Sequence, residues 1–389
     1  MLLKKSITRL QWAQLWVLTF IHIVIDMFPG AVAPIIPAVR NHFSLSLTKS
    51  LSLITICYVS CNFFQVVLGH IRPHSRKPLL LTIGLIALPA ICLIAFVPTG
   101  RFSYWILATL MAVTGFGVAV THPESLRALH NLKRTSSVLG TAIFFNGGHI
   151  GFAIGAFSAA AAVQYLGFGG LTIMAVMVVV SLALLGMFHI RLSIEKPHKK
   201  VVSNEETHSF WMLFAMGVPI ATTATVLPAM LPTAFAELGF ELSFGGLPAM
   251  MTSIGIVFGS FFWTHLSKYI GQLKSVIIAE AIAAPLIIAY MMLIKTQWAV
   301  ILLVPAGFCG IAGYTLIVNM ARHSRNLVLG QRMGIMVGGV WGAAALALIA
   351  LGPLADTFGS ITVLNYAWTG YAAAAVIGIV YLLTKRKKT

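Results

Sequence analysis

Twelve long apolar runs, with almost every charge confined to the short segments between them, limit what this chain can fold into. About 20 consecutive apolar residues cross a bilayer as a helix, because in lipid every backbone N–H and C=O must be satisfied within the segment. The runs lie near residues 11–38, 47–70, 78–98, 103–121, 137–164, 168–190, 209–236, 243–265, 275–294, 297–320, 332–354 and 363–384. They are continuous rather than alternating, which disfavours a closed barrel. The chain is 59% hydrophobic and 9% charged, more apolar than a soluble domain of its 389 residues requires. The expected fold is an all-α membrane protein with twelve transmembrane helices.

The 26 Lys and Arg against 9 Asp and Glu are not gathered into a nucleic-acid-binding face. They sit in clusters between the runs, on alternating sides. With a cytoplasmic N-terminus, 22 of the 26 fall in cytoplasmic segments, leaving Arg40, Lys49, Arg101 and Lys295 outside. The positive-inside rule therefore places both termini in the cytoplasm of a multi-pass protein in the bacterial inner membrane, with lipid as its surroundings and no nucleic-acid partner. The start, MLLKKSITR, is basic, but the run behind it is too long for a signal peptide and lacks a small-residue cleavage site, so it reads as the first retained span. Cys57, Cys61, Cys92 and Cys309 all lie inside apolar runs and read as small buried hydrophobes.

The longest polar connection, RLSIEKPHKKVVSNEETHS, falls near the middle. It divides the chain into an N-terminal six-helix bundle (1–190), a cytoplasmic linker (191–208) and a C-terminal six-helix bundle (209–389). An internal repeat supports the division. GGHIGFAIGA begins at Gly147 in the fifth run and GGVWGAAALA at Gly338 in the eleventh, with Gly147, Gly151, Gly155 and Gly334, Gly338, Gly342 each spaced by four. Such stripes let helices approach closely, and their matched positions suggest two pseudo-symmetric halves.

An ionisable side chain at the bilayer centre costs about 2.5–3.5 kcal/mol on insertion scales, so each one needs a reason. HIVIDM sets His22 and Asp26 four residues apart on one helical face. They read either as a protonation pair facing a cavity or as an interhelical hydrogen-bond pair. At the end of the fourth run, GFGVAVTHPESLRALHN presents His122, Glu124 and Arg127, with Pro123 expected to kink the helix or to open a first turn. These three read as a gate or as a network fixing the helix end. Asn62 and Gln65 in the second run, with Asn146 and His149 in the fifth, are candidate cavity residues or helix-joining polar groups. Glu280, in the ninth run, is a candidate second protonation site, while Glu237, Glu241 and Asp356 read as mouth or surface charges. No HExxH or other metal-ligand spacing occurs, and no cofactor, metal or enzymatic activity is expected.

Twelve spans in two halves around a basic central loop resemble the major facilitator superfamily. HIVIDM, the HPES motif preceded by Gly115 and Gly117, and IFFNGGHIGFAIG are similar to the fosmidomycin-resistance-type branch of drug exporters. The matching positions are His22, Asp26 and Met27; Gly115, Gly117, His122, Pro123, Glu124, Ser125 and Arg127; and Ile143, Phe144, Gly147, Gly148, Gly151 and Gly155. One departure stands out. The superfamily's loop after the second span usually carries Gly-x3-Asp-Arg, whereas this chain has GHIRPHSRK, with Pro73 in the acid's place, and its counterpart THLSKYIGQLK also lacks an acid.

The resemblance implies a proton-coupled secondary transporter. The reading is an exporter, acting as a monomer on a small polar or amphipathic compound, whose halves rock about a midplane site. Protonation of Asp26, coupled to His22, would differ between its two states. Rival readings are uptake of an organic anion or metal-chelating compound, a membrane enzyme using His122 and Glu124, and a non-transporting scaffold.

Overall fold

A computed structural model describes residues 2–70, 76–132, 137–193, 208–324, 332 and 334–386. Among the described residues, twelve helices are long and apolar enough to cross a membrane: α1 Arg9–Phe43, α2 Leu47–Val67, α3 Leu79–Phe96, α4 Ser103–His130, α5 Gly140–Leu166, α6 Phe168–Met187, α7 Phe210–Glu237, α8 Leu242–Ile270, α9 Gln272–Met292, α10 Gln297–His323, α11 Ile335–Phe358 and α12 Ser360–Lys385. Among the described residues there is no strand.

Two boundaries differ from the expectation. Helix α1 runs on to Phe43 through Pro29, Pro34 and Pro37. Helix α4 passes through Pro123 and ends at His130, so Pro123 neither ends that helix nor starts a new one, and the HPES motif lies within it. Packed neighbours stabilise these helices where proline removes a backbone hydrogen bond, as membrane helices commonly allow. By contrast α8 and α9 meet at Gly271 alone, whose φ of 89° falls in the left-handed region that a Cβ disfavours.

The first six helices pack together, with α1 along α5 and α2 along α4. In the last six, α8 packs along α10 and α7 along α12, and the two groups meet where α2 faces α11 and α5 faces α8. The glycine stripes play different parts in this packing. On α5, a Cβ at Gly151 or Gly155 would run into the backbone of Ile23 or Met27, and one at Gly147 would lie 2.8 Å from the Thr19 methyl. That stripe lets α1 and α5 of the same half touch almost backbone to backbone. On α11, Gly338 faces Val66 and Asn62 of the other half, while Gly334 has open space beside it. There the helix takes a π-helical turn, Ile335–Gly339, instead of a straight close contact.

At the face opposite the termini, two polar clamps join the halves. The Asp356 carboxylate of α11 accepts hydrogen bonds from the backbone N–H groups of Leu47 (2.8 Å) and Thr48 (3.0 Å) and from the Thr48 hydroxyl. A carboxylate at a helix N-terminus satisfies orphan donors and complements the helix dipole. Across α5 and α8, the Gln164 amide donates to Glu241 (3.1 Å) and accepts from the Ser243 N–H (2.6 Å). Asp356 and Glu241 therefore tie helices together where the sequence suggested mouth or surface charges. Glu237 likewise accepts from the Ser360 hydroxyl at 2.9 Å, within the C-terminal half.

The α1–α5 contact yields a prediction. Gly155→Val should lower stability by about 1–3 kcal/mol, the usual penalty for overpacking a tight contact. Gly186→Ala, on α6 with nothing within 4 Å of the added Cβ, should leave stability within about 1 kcal/mol or raise it. Thermal denaturation of the two purified variants checks the contrast.

Candidate functional site

Helices α1, α4 and α5 bring three titratable side chains together. The Asp26 Oδ2 lies 3.3 Å from His22 Nε2, one turn back on α1, and its Oδ1 lies 3.1 Å from His122 Nε2 on α4. The two imidazoles meet edge to face, with centroids 5.2 Å apart. His22 is buried and stacks on Phe144 of α5 with centroids 4.1 Å apart, while Asp26 and His122 keep 18% and 20% of their side chains exposed. Gly148 of α5 forms the floor, since a Cβ there would strike the Asp26 carboxylate and the His22 ring. Gly148 thus joins Gly147, Gly151 and Gly155 as a position on α5 with no room for a side chain.

The far side of each ring fixes its tautomer. His22 Nδ1 is 2.8 Å from the Phe144 carbonyl, and His122 Nδ1 is 2.9 Å from the Val118 carbonyl. A carbonyl only accepts, so both Nδ1 atoms carry hydrogen and donate. In neutral rings both Nε2 atoms are then bare lone pairs, and both face the Asp26 oxygens. A carboxylate opposite a lone pair is repulsive. Each Nε2–Asp26 contact becomes a hydrogen bond only when a further proton sits between the two atoms. The cluster thus offers two places for added protons. Its Nε2 and carboxylate atoms all lie within 4.8 Å of one another, so the same three donors can also converge on one cation.

The polar motif of α4 divides between two tasks. His122 turns to Asp26, away from Glu124 and Arg127. Those two pair with each other, Arg127 Nη1 donating to Glu124 Oε1 at 2.6 Å. Arg127 Nη2 also donates to the Ser193 carbonyl (3.2 Å), and the Ser193 N–H donates to the Arg127 carbonyl (3.0 Å). The chain leaving α6 is thereby strapped to the end of α4. The rest of the 191–208 linker, from 194 to 207, and Pro73 of the acid-free loop lie outside the described residues.

A cavity of about 160 Å³ opens between the halves, lined by Tyr58, Asn62 and Phe152 from one and by Ala224, Thr225, Pro228 and Trp341 from the other. It adjoins the cluster. The Tyr58 hydroxyl donates to the Pro29 carbonyl (3.3 Å), and Gly30 touches the Phe152 backbone, both about one turn of α1 beyond Asp26. Asn62 is the one expected cavity residue in this lining, with its amide donating to the Tyr58 carbonyl at 2.8 Å. Gln65, Asn146 and His149 are half-buried and stand outside it, and His149 lies within Coulombic reach of Asp26. Sequence reasoning did not select Tyr58, Phe152, Thr225 or Trp341, since an aromatic or threonine in a membrane helix looks the same in a packing contact as in a cavity wall. Glu280 is fully buried on α9, with both carboxyl oxygens lacking a hydrogen-bond partner. It sits against Gly313 of α10 and does not join His22, Asp26 and His122.

Comparison with known proteins places this architecture. A family model for the Major Facilitator Superfamily matches residues 15–330. The chain belongs to the Major Facilitator Superfamily. It is also similar to the fosmidomycin resistance protein of Escherichia coli (strain K12), 23% identical over 351 residues that cover 86% of this chain and 84% of that one. Among solved structures, tetrameric PepTSo2 superposes with a TM-score of 0.72 at 12% identity, covering 97% of this chain and 100% of that one. The peptide transporter POT in complex with sulfate gives 0.71 at 11% identity over 96% and 94%. A bacterial homolog of the human lysosomal transporter Spinster, inward-facing and unoccupied, gives 0.66 at 13% over 95% and 96%. At these identities the structures establish the fold. The matched family and the neighbours are transporters, which sets aside the enzyme reading of His122 and Glu124.

The Glu124–Arg127 pair gives a second prediction. Arg127→Met leaves a buried carboxylate without its ion-pair partner and should cost about 3–5 kcal/mol, whereas the double variant Glu124→Gln/Arg127→Met should recover much of that loss. Thermal denaturation of the single and double variants measures the coupling.

Proposed function

We propose that this superfamily member is a proton-coupled exporter of a small polar or amphipathic compound, exchanging substrate against protons held by His22, Asp26 and His122. The observation that carries this reading is the pair of pinned tautomers: both Nδ1 atoms donate to backbone carbonyls, so both Nε2–Asp26 contacts call for added protons. The cavity beside the cluster is small, aromatic-walled and contributed by both halves, as a substrate site between rocking bundles would be.

In this mechanism, rocking opens the cavity to one side and then the other. The clamps at Asp356 and at Gln164–Glu241 hold the halves together on one face and must break for that face to open. Protons drive the cycle only if they bind the two states with different affinity. Substrate entering beside Tyr58 and Phe152 would change the exposure of Asp26, and so the affinity of the cluster for protons. Glu280, buried and unpartnered in the other half, would contribute to coupling only if rocking brings water to α9.

Export is preferred over uptake on the similarity to a resistance protein. The excess of basic residues between the helices supports cytoplasmic termini in a bacterial inner membrane. One chain supplies both the cavity and the cluster, which supports a monomer as the unit of transport.

The test uses fosmidomycin as the first probe, followed by a panel of small amphipathic compounds. Cells expressing the chain should gain resistance to at least one of them, and proteoliposomes with an imposed pH gradient should move that compound with protons. Asp26→Asn protein that still folds should lose proton movement to the level of empty liposomes. Coupled movement at the wild-type rate in Asp26→Asn, or no pH-dependent flux of any compound in the wild type, would refute the reading.

A further inference from the structure

We propose that His22, Asp26 and His122 also form a binding site for one divalent transition-metal ion of the zinc class, which takes the place of the protons. This goes beyond transport and does not depend on it.

Three features of the geometry carry the inference. The first is the spacing of the ligand atoms. His22 Nε2 lies 3.3 Å from Asp26 Oδ2 and His122 Nε2 lies 3.1 Å from Asp26 Oδ1, so each ring faces one oxygen of the same carboxylate. Two ligands on one tetrahedral zinc ion lie about 3.4 Å apart when each bond is about 2.0–2.1 Å. The ligand atoms of all three residues lie within 4.8 Å of one another. The second feature is the outer bond of each ring. Both Nδ1–H groups donate to main-chain carbonyls on the side away from Asp26, which aims each Nε2 lone pair inward. A metal-binding imidazole almost always has its other nitrogen held in this way. The third feature is the donor set, two imidazoles and one carboxylate, which suits Zn²⁺ and Co²⁺ rather than the hard Mg²⁺ or Ca²⁺.

Access and charge fit as well. Asp26 and His122 keep part of their surface open while His22 is sealed behind them, leaving one side of the ion free for water or a transported ligand. That is the open fourth position of a site with three protein ligands. A divalent ion on these atoms leaves the same net charge as two added protons. Metal and protons compete for the same lone pairs, so they exclude each other. Gly148 leaves room for this, because a side chain there would press on Asp26 and His22.

The experiment titrates tag-free purified protein in detergent with Co²⁺ as an optical probe and then displaces it with Zn²⁺. One Co²⁺ per chain should saturate with the intense visible bands of low-coordinate cobalt, and one Zn²⁺ should abolish them. Asp26→Asn and His122→Gln should each weaken binding at least about 100-fold, beyond what loss of an outer-shell partner produces. His265→Gln, on α8 away from the cluster, should bind as the wild type does. Each variant is first checked for a monodisperse elution profile, and the two cluster variants back each other if one misfolds. Wild-type protein without a saturable site, or folded cluster variants that bind cobalt as tightly as wild type, would overturn the proposal. Because binding is read without a gradient or substrate, failure here is distinct from failure of the transport assay.

Discussion

The proposed transport cycle turns on one carboxylate held between two imidazoles whose outer nitrogens already donate to backbone carbonyls. The Phe144 and Val118 carbonyls take the Nδ1 hydrogens of His22 and His122, so the inner nitrogens have none to give Asp26 unless protons arrive from outside. In a medium of low dielectric an unsatisfied contact of this kind is expensive, and the cluster is therefore a place where proton occupancy is worth free energy. That property follows from hydrogen-bond accounting rather than from any residue type alone.

The scaffold around the cluster is arranged to hold it. The glycines of α5 bring that helix against α1 so closely that Phe144 can offer its carbonyl to His22 while Gly148 makes room for the carboxylate. Helix α4 continues through Pro123, so that His122, just before the proline, turns to Asp26 while Glu124 and Arg127, just after it, lie at the end that straps the chain after α6. On the opposite face, hydrogen bonds from Leu47 and Thr48 to Asp356, and from Gln164 to Glu241, join helices of the first six to helices of the last six.

Much of the fold was legible in the sequence because the membrane imposes a simple rule. Backbone groups in lipid must pair within the segment, so twelve long apolar runs become twelve helices. Asp26 and His22 could be singled out because an ionisable residue in such a run demands a partner, and a spacing of four places the pair on one face. Their third member, His122, reads in the sequence as part of a gate or helix-end network with Glu124 and Arg127, since sequence neighbours look related until the helix turns them to different sides. The cavity walls at Tyr58, Phe152, Thr225 and Trp341 left no signal, because the cavity exists only between elements far apart in the chain. On α5 the glycine stripe is a site of close approach to α1. On α11 the same spacing faces the other half through a π-helical turn, a difference set by tertiary contacts.

Both histidines donate through Nδ1 to backbone carbonyls, which leaves each Nε2 to share a proton with Asp26. Nitrogen-15 NMR of histidine-labelled protein, with the two signals assigned through His22→Gln and His122→Gln, reads the state of each ring nitrogen as pH is varied. The account predicts that each Nδ1 stays protonated throughout, while the Nε2 signals move between bare and protonated positions and this movement changes in Asp26→Asn. Rings that rest with hydrogen on Nε2 and a bare Nδ1, indifferent to Asp26→Asn, would contradict it.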